Sequence, residues 1–206
     1  MKPRPLSSVS RRTLLRAGVL AAAATVALTA CSSNGSLVSQ YNNGTTKNYI
    51  SGDGTVVEFK PADRKAPIEF TSTTAQGDSI SRKTYEGKVV VLNFWYASCP
   101  PCRLEAPDLE SLSKKYAGRV QFIGVNVRDE TDTAAAFERS FKITYPSIID
   151  ATDAKVQLAL AGQRGPNATP TTIVLDQKGR VAARILGEAN KNVLDTLISD
   201  TLKEAN

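Results

Sequence analysis

Histidine is absent from this sequence, cysteine occurs three times, and there is a single tryptophan and a single methionine. Zinc in a closed structural site takes four Cys or His ligands. The close pair Cys99 and Cys102 supplies two thiolates, and neither a histidine nor a second cysteine pair is there to complete the set. That excludes a closed metal site within the chain. Long apolar runs are lacking as well. The alanine-rich stretch "AGVLAAAATVALTA", Ala17 to Ala30, falls short of the roughly 20 residues that a permanent membrane helix needs. There is no internal repeat.

Acidic residues are missing from residues 1–30, which carry Lys2, Arg4, Arg11, Arg12 and Arg16 around the start of that apolar run. A basic head, a short apolar core and small residues at its end make a secretory signal peptide over 1–30. The run "SRRTLLR" (Ser10 to Arg16) resembles the twin-arginine export motif, although Arg-Arg also occurs in ordinary signal heads. "LTAC" (Leu28 to Cys31) resembles a bacterial lipoprotein box, in which the cysteine is lipidated and becomes the new N-terminus. The plainer alternative is an ordinary cysteine just past a cleavage site. Taking the five cations of the signal from the net charge of +6 leaves +1 for the rest. The basic balance thus belongs to export, and no nucleic-acid partner is expected.

Residues 31–60 read as a flexible tether, rich in Ser, Asn, Gly and Thr from Ser32 onward and poor in core formers. Near its end "TVVEF" (Thr55 to Phe59) alternates weakly and reads as a short edge strand. The folded domain is expected over 61–206. There "PIEFTST", a turn at Gly77-Asp78 and a loop to Gly87 precede "VVVLNFW" (Val89 to Trp95), an apolar run of the kind that forms a buried central strand. A helix from Cys99 to Tyr116, stopped at Gly118, follows. "VQFIGVNV" predicts a second buried strand, and "TDTAAAFERSFKI" a helix with a Thr or Asp cap. "PSIID" predicts a third strand and "DAKVQLALA" a short helix. "TTIVLD" and "VAARILG" form two strands around the turn "QKG". The closing helix buries Val193, Leu194, Leu197, Ile198 and Leu202 on one face. Helices interleaved with strands, ending in a hairpin, mean an α/β fold with a mixed sheet flanked by helices.

Cys99 and Cys102 stand three apart at the start of the first long helix. A disulfide closing so small a loop removes little unfolded-state entropy, which makes it a poor staple. As a redox pair the positions fit. A cysteine in the exposed first turn of a helix meets free backbone N–H groups and the positive end of the helix dipole, and both favour the thiolate that attacks disulfides. Cys102, one turn along, is placed to attack a mixed disulfide at Cys99 and release the partner. Pro100 and Pro101 have no N–H, so Cys102 N–H is the one donor left in that turn. The Cys99 thiolate is then only moderately stabilised, which favours a reducing dithiol.

"FWYASCPPC", Pro107 five residues beyond the second cysteine, and "TPTT" (Thr169 to Thr172) resemble the thioredoxin superfamily. Within it, four features resemble the membrane-tethered TlpA/ResA-like branch: "APIEF…GDSISRKTYEGKVVVLNFW" as an N-terminal β-hairpin entry, "CRLEAP", "GVNV" followed by a helix–strand insertion, and "TPTTIVLD". The resemblance covers about 61–204 and implies a thioredoxin-like mixed sheet with that hairpin and a central helix–strand insertion. It implies a cis-proline at Pro170, with the Thr169 backbone presented to an extended substrate; a trans proline opening a strand is the alternative. It implies that Trp95 shields the sulfurs, a role hard to separate from plain core packing, and that Pro107 kinks the helix. Where classical thioredoxins bury an aspartate, this chain has Asn93, which takes up no proton. Glu105, in the position of the branch's active-site glutamate, is then the candidate base for Cys102, against the alternative of a solvated helix charge.

The function expected on that resemblance is a thiol–disulfide oxidoreductase on the outer face of the cytoplasmic membrane, anchored through Cys31. It would reduce protein disulfides, including apocytochrome c cysteines, and draw electrons from a membrane thiol transporter, with no cofactor. A disulfide-forming oxidase uses the same residues, and a non-catalytic binding lipoprotein is a third reading. A peroxidase is disfavoured, since the Pro-x-x-x-Thr-x-x-Cys pattern is absent, as is a copper-delivery module, which resembles a wider cysteine spacing plus a histidine. The loop "AGQRGPNATP" departs from the family by extra residues, Pro166 and Asn167 among them, beside the substrate groove.

Overall fold

A computed structural model describes residues 55–163 and 165–204. The expected leader over 1–30, Cys31 and the tether as far as residue 54 lie outside the described residues. Among the described residues no helix is long and apolar enough to cross a membrane.

The centre of the molecule is strand β4, Val89–Trp95, in which all seven residues are buried. Side chains alternate across a strand, so Val90, Leu92 and Phe94 face one layer and Val89, Val91, Asn93 and Trp95 the other. Helix α1 (Pro100–Lys115) and the last helix, α4 (Lys191–Lys203), cover the second layer. There Val89 and Val91 pack with Leu109, Leu112, Leu194 and Ile198. On the first layer Val90, Leu92 and Phe94 meet Phe70, Ile80, Val156 and Leu160. Asn93 therefore stands beneath α1 by the parity of the strand.

The six-stranded sheet runs β1-β8-β7-β4-β5-β6, where β1 is Val56–Glu58, β5 Val120–Asn126, β6 Ser147–Ile149, β7 Thr171–Leu175 and β8 Val181–Leu186. β4, β5 and β6 are parallel, and β7, β8 and β1 add on antiparallel. The sheet thus takes up Val56–Glu58, inside the stretch read as tether, so ordered structure starts before Pro61. β2 (Thr71–Thr73) and β3 (Ser79–Ser81) form the expected hairpin as a separate two-stranded sheet. It touches the main sheet through a bridge from Thr74 to Ile148.

Helix α1 ends where expected. Tyr116 is its C-cap, and Gly118 takes φ +81°, a left-handed conformation that glycine adopts without a Cβ penalty. The helix continues through Pro107, at the cost of the backbone bond that a 107 N–H would have made. The insertion is helix α2 (Thr131–Phe141) followed by β6. Its expected Thr or Asp cap is corrected: the N-cap is Glu130, with no side-chain cap bond. The preceding Asp129 is occupied elsewhere, accepting from Ala97 N at 2.6 Å and Asn126 Nδ2 at 2.8 Å. Glu110 of α1 binds the insertion by accepting from Thr144 N and Thr144 Oγ1 at 2.9 and 2.8 Å. The short helix α3 is Lys155–Ala159.

Candidate functional site

β4 ends at Trp95 and the chain turns through Tyr96–Ser98 into α1. This turn is braced by β5 and the loop after it. Val127 N donates to Trp95 O at 3.1 Å, and the Asp129 carboxylate takes the Ala97 N–H. Asn126 holds that loop, accepting on Oδ1 from Arg128 N and Asp129 N. Sequence reasoning missed Asn126 and Asp129, because a local polar pair gives no sign of the turn that it reaches in space.

Cys99 is the N-cap of α1 and is joined to Cys102 in a disulfide. An N-cap side chain accepts from the N–H of the second or third helical residue. The second is Pro101, without one, and the third is Cys102, whose N–H donates to Cys99 Sγ at 3.2 Å. The expected single donor is the one found. The expected exposure of Cys99 is corrected: it is 1 % exposed and Cys102 2 %. Both sulfurs pack in one cluster with Trp95, Ala106, Ala134 and Phe137, and the Trp95 and Phe137 rings lie 4.4 Å apart. Arg103 stacks over Phe141 at 5.0 Å and donates to Ala97 O, closing the outer side of the turn.

The Thr169–Pro170 bond is cis, Thr169 half-buried and Pro170 buried. β7 pairs Thr171 with Phe94, so Pro170 comes level with Trp95 at the end of the sheet that carries the cysteines. The expected residues Trp95, Cys99, Cys102 and Pro170 thus gather at one end of the central strands.

Glu105 is not a solvated helix charge. It is 1 % exposed. Its Oε1 accepts from Asn93 Nδ2 and its Oε2 from Ala189 N, each at 2.7 Å. Asn93 Nδ2 also donates to Thr172 Oγ1 at 3.1 Å, in the register that pairs Asn93 with Thr172. Burial pushes the Glu105 carboxyl up to about 7, against the Ala189 and Asn93 hydrogen bonds that favour its charge. A carboxyl tuned to neutrality one helical turn from Cys102 suits proton transfer. Among the described residues no group of three or more Cys, Asp and Glu is arranged to hold a metal ion.

A model of the Redoxin family matches residues 61–198. The thiol-disulfide oxidoreductase ResA of Bacillus thuringiensis (strain Al Hakam) is 35% identical over 134 residues, 64% of this chain and 73% of that protein. Among solved structures, a DsbF homologue from Corynebacterium diphtheriae superposes with a TM-score of 0.64 at 33% identity, covering 76% of this chain and 99% of that one. A secreted thiol-disulfide isomerase from Corynebacterium glutamicum gives a TM-score of 0.64 at 32% identity, covering 77% and 98%.

Proposed function

The chain belongs to the Redoxin family and is a thiol–disulfide oxidoreductase of thioredoxin-like fold, and from that premise we propose that it reduces protein disulfides outside the cytoplasmic membrane, anchored by a lipid on Cys31. The direction of electron flow rests on one observation. Among the described residues one backbone N–H, that of Cys102, donates to Cys99 Sγ; prolines fill the two positions before it, and the chain has no histidine to add charge. A thiolate with so few donors gives a more reducing couple.

In this reading the Cys99 thiolate attacks one sulfur of a substrate disulfide. A Cys99–substrate bond forms, and the other substrate sulfur leaves as thiolate and takes a proton. Cys102 passes its thiol proton to Glu105, directly or through water. The Cys102 thiolate then attacks Cys99 Sγ, expels the second substrate thiolate, and closes the Cys99–Cys102 disulfide. Thr169 and Pro170 line the groove for an extended substrate segment. A membrane thiol transporter returns the pair to the dithiol. Apocytochrome c, whose cysteines must stay reduced for haem attachment, is the substrate proposed.

The lipoprotein box and the basic leader support the anchor, and the secreted relative from C. glutamicum supports the compartment. Alkylation trapping of the redox state in growing cells tests the direction: a reductase is found mainly as dithiol. Recovery mainly as disulfide would overturn it. Palmitate labelling of the full chain, lost in Cys31→Ser, tests the anchor, and an unlabelled native chain would refute it.

A further inference from the structure

A row of side chains crosses four strands on the face beneath α1. Thr172 pairs with Asn93, Asn93 with Gly124, and Gly124 with Ser147. Gly124 is the gap in this row. A Cβ there would lie 2.3 Å from Ser147 Oγ and 2.8 Å from Trp95 Nε1, so its absence lets the hydroxyl and the indole nitrogen approach β5.

Beside this row, behind the disulfide, is a small cavity of about 10 Å³ walled by Cys102, Asn93, Trp95, Tyr145, Ser147 and Glu138, among others. That is about the room of one water. Two atoms of the wall residues, Glu138 Oε1 and Ser147 Oγ, are buried with no well-formed hydrogen bond to any protein group, although the hydroxyl lies near enough to the carboxylate to favour its charge. Polar atoms buried dry are costly, and here they share a space with the resolving cysteine.

We propose that this cavity holds an ordered water, hydrogen-bonded by Glu138 and Ser147, that gives the Cys102 thiol proton a second acceptor, Glu138, in parallel with Glu105 during resolution of the mixed disulfide. The Cys102 S–H bond breaks, the water takes that proton and gives one to the Glu138 carboxylate, and the Cys102 electron pair attacks Cys99 Sγ. The Cys99–substrate bond breaks, its electron pair leaves with the substrate thiolate, and Glu138 returns its proton to solvent. Glu105, the acceptor already proposed, is 1 % exposed with both oxygens hydrogen-bonded. Glu138, which lines the cavity, is only partly buried.

Burial raises the Glu138 carboxyl above its ordinary range, opposed by Ser147 and by Arg139 on its own helix. Across the cavity stands Tyr145, whose hydroxyl is raised by burial and by the charges of Glu105, Glu110 and Glu138. Deprotonation of Glu105 and Glu110 on α1 therefore acts on the same space. The inference rests on the exchange chemistry proposed above, with the mixed disulfide at Cys99.

The test is stopped-flow reaction of the reduced full chain with a chromogenic aryl disulfide. A first, concentration-dependent phase loads Cys99 and a second, concentration-independent phase is resolution by Cys102. Glu138→Gln is expected to slow the second phase on the order of tenfold near pH 7, leave the first unchanged, and rejoin the native rate above about pH 9, where the thiol ionises unaided. Ser147→Ala, which removes one anchor of the water, is expected to give a smaller slowing of the same pH form. A native second phase and pH profile in Glu138→Gln would overturn the inference. Should that variant not fold, a native second phase in Ser147→Ala overturns it equally. Absence of any mixed disulfide in the native chain would instead overturn the exchange chemistry, and this inference with it.

Discussion

Asn93 Nδ2 donates to Glu105 Oε1 at 2.7 Å, joining the middle of the central strand to the active-site helix just past Cys102. The residue that replaces an acid in the strand is thus the one that holds the acid on the helix. Asn93 favours the charged form of Glu105 while burial opposes it, and burial is the larger effect, leaving the carboxyl at about 7.

Glu105→Gln is expected to slow resolution at Cys102 and to weaken the inflection near pH 7 in its rate profile. As the base proposed for Cys102, Glu105 would act when ionised, so the native rate is expected to rise with pH through that value. Stopped-flow kinetics across pH 5–9 check this, and an unchanged inflection would refute the role.

The same carboxyl sets a pH dependence of stability. Its folded value is raised from 4.5 to about 7, so the native state binds the proton more tightly than the unfolded chain. Its stabilising contribution is complete below about 4.5 and is lost as pH rises to about 7. From this group alone the loss is about 3 kcal/mol. Urea unfolding of the native chain and of Glu105→Gln at several pH values should show the difference between them changing across that window. A constant difference contradicts it.

Asn93→Asp places a second carboxyl 2.7 Å from Glu105 Oε1, if the new side chain keeps the asparagine's position. Two carboxylates that close do not both ionise, so the inflection near 7 is expected to move to higher pH. A shift downward, or none, measured in the same kinetics, would contradict the placement.

Gly124→Ala puts a methyl group against Ser147 Oγ and the Trp95 indole. Overpacking of this kind costs about 1–3 kcal/mol. Trp95, the single tryptophan, should report both the lower unfolding midpoint and an altered emission. Native stability and emission would show that the row has slack.

Arg64 is a contrast, because it lies at the other end of β7 from Pro170. Its side chain, 1 % exposed, pairs through the guanidinium with Asp176 at 3.1 Å and Glu204 at 2.6 Å, fixing the segment before β2 to the β7–β8 turn and to the residue that ends α4. Arg64→Leu removes one of two cations from buried Asp176, which keeps Arg180, and frees the exposed Glu204, and is expected to cost about 1–3 kcal/mol. The redox potential, measured where the variant is folded, should not move.

What could be read directly from the residues were the elements with a strong period or run. The seven apolar-rich residues of β4, the Gly118 stop and the last helix's face, with Leu194, Leu197 and Ile198 buried, follow from local pattern. So does Cys102 N–H as the single donor to Cys99, because proline removes a donor wherever it stands. Relations set by register or by packing were not legible. Nothing local marks Glu105 as sealed rather than solvated, because its partners Asn93 and Ala189 come from a strand and from the approach to the last helix. Ser147 and Glu138 meet Cys102 only through the insertion's packing, and the burial of Cys99 depends on Phe137 and Ala134 of α2. The cap of α2 differs because the helix already begins at Thr131, which puts the expected Thr131 and Asp132 inside its first turn.

The equilibrium potential of the Cys99–Cys102 couple against glutathione tests the central claim most directly. With the Cys102 N–H as donor to Cys99 and prolines before it, a value near that of thioredoxin, on the order of −270 mV, is expected. A value approaching roughly −120 mV, that of a strong oxidant, would contradict it.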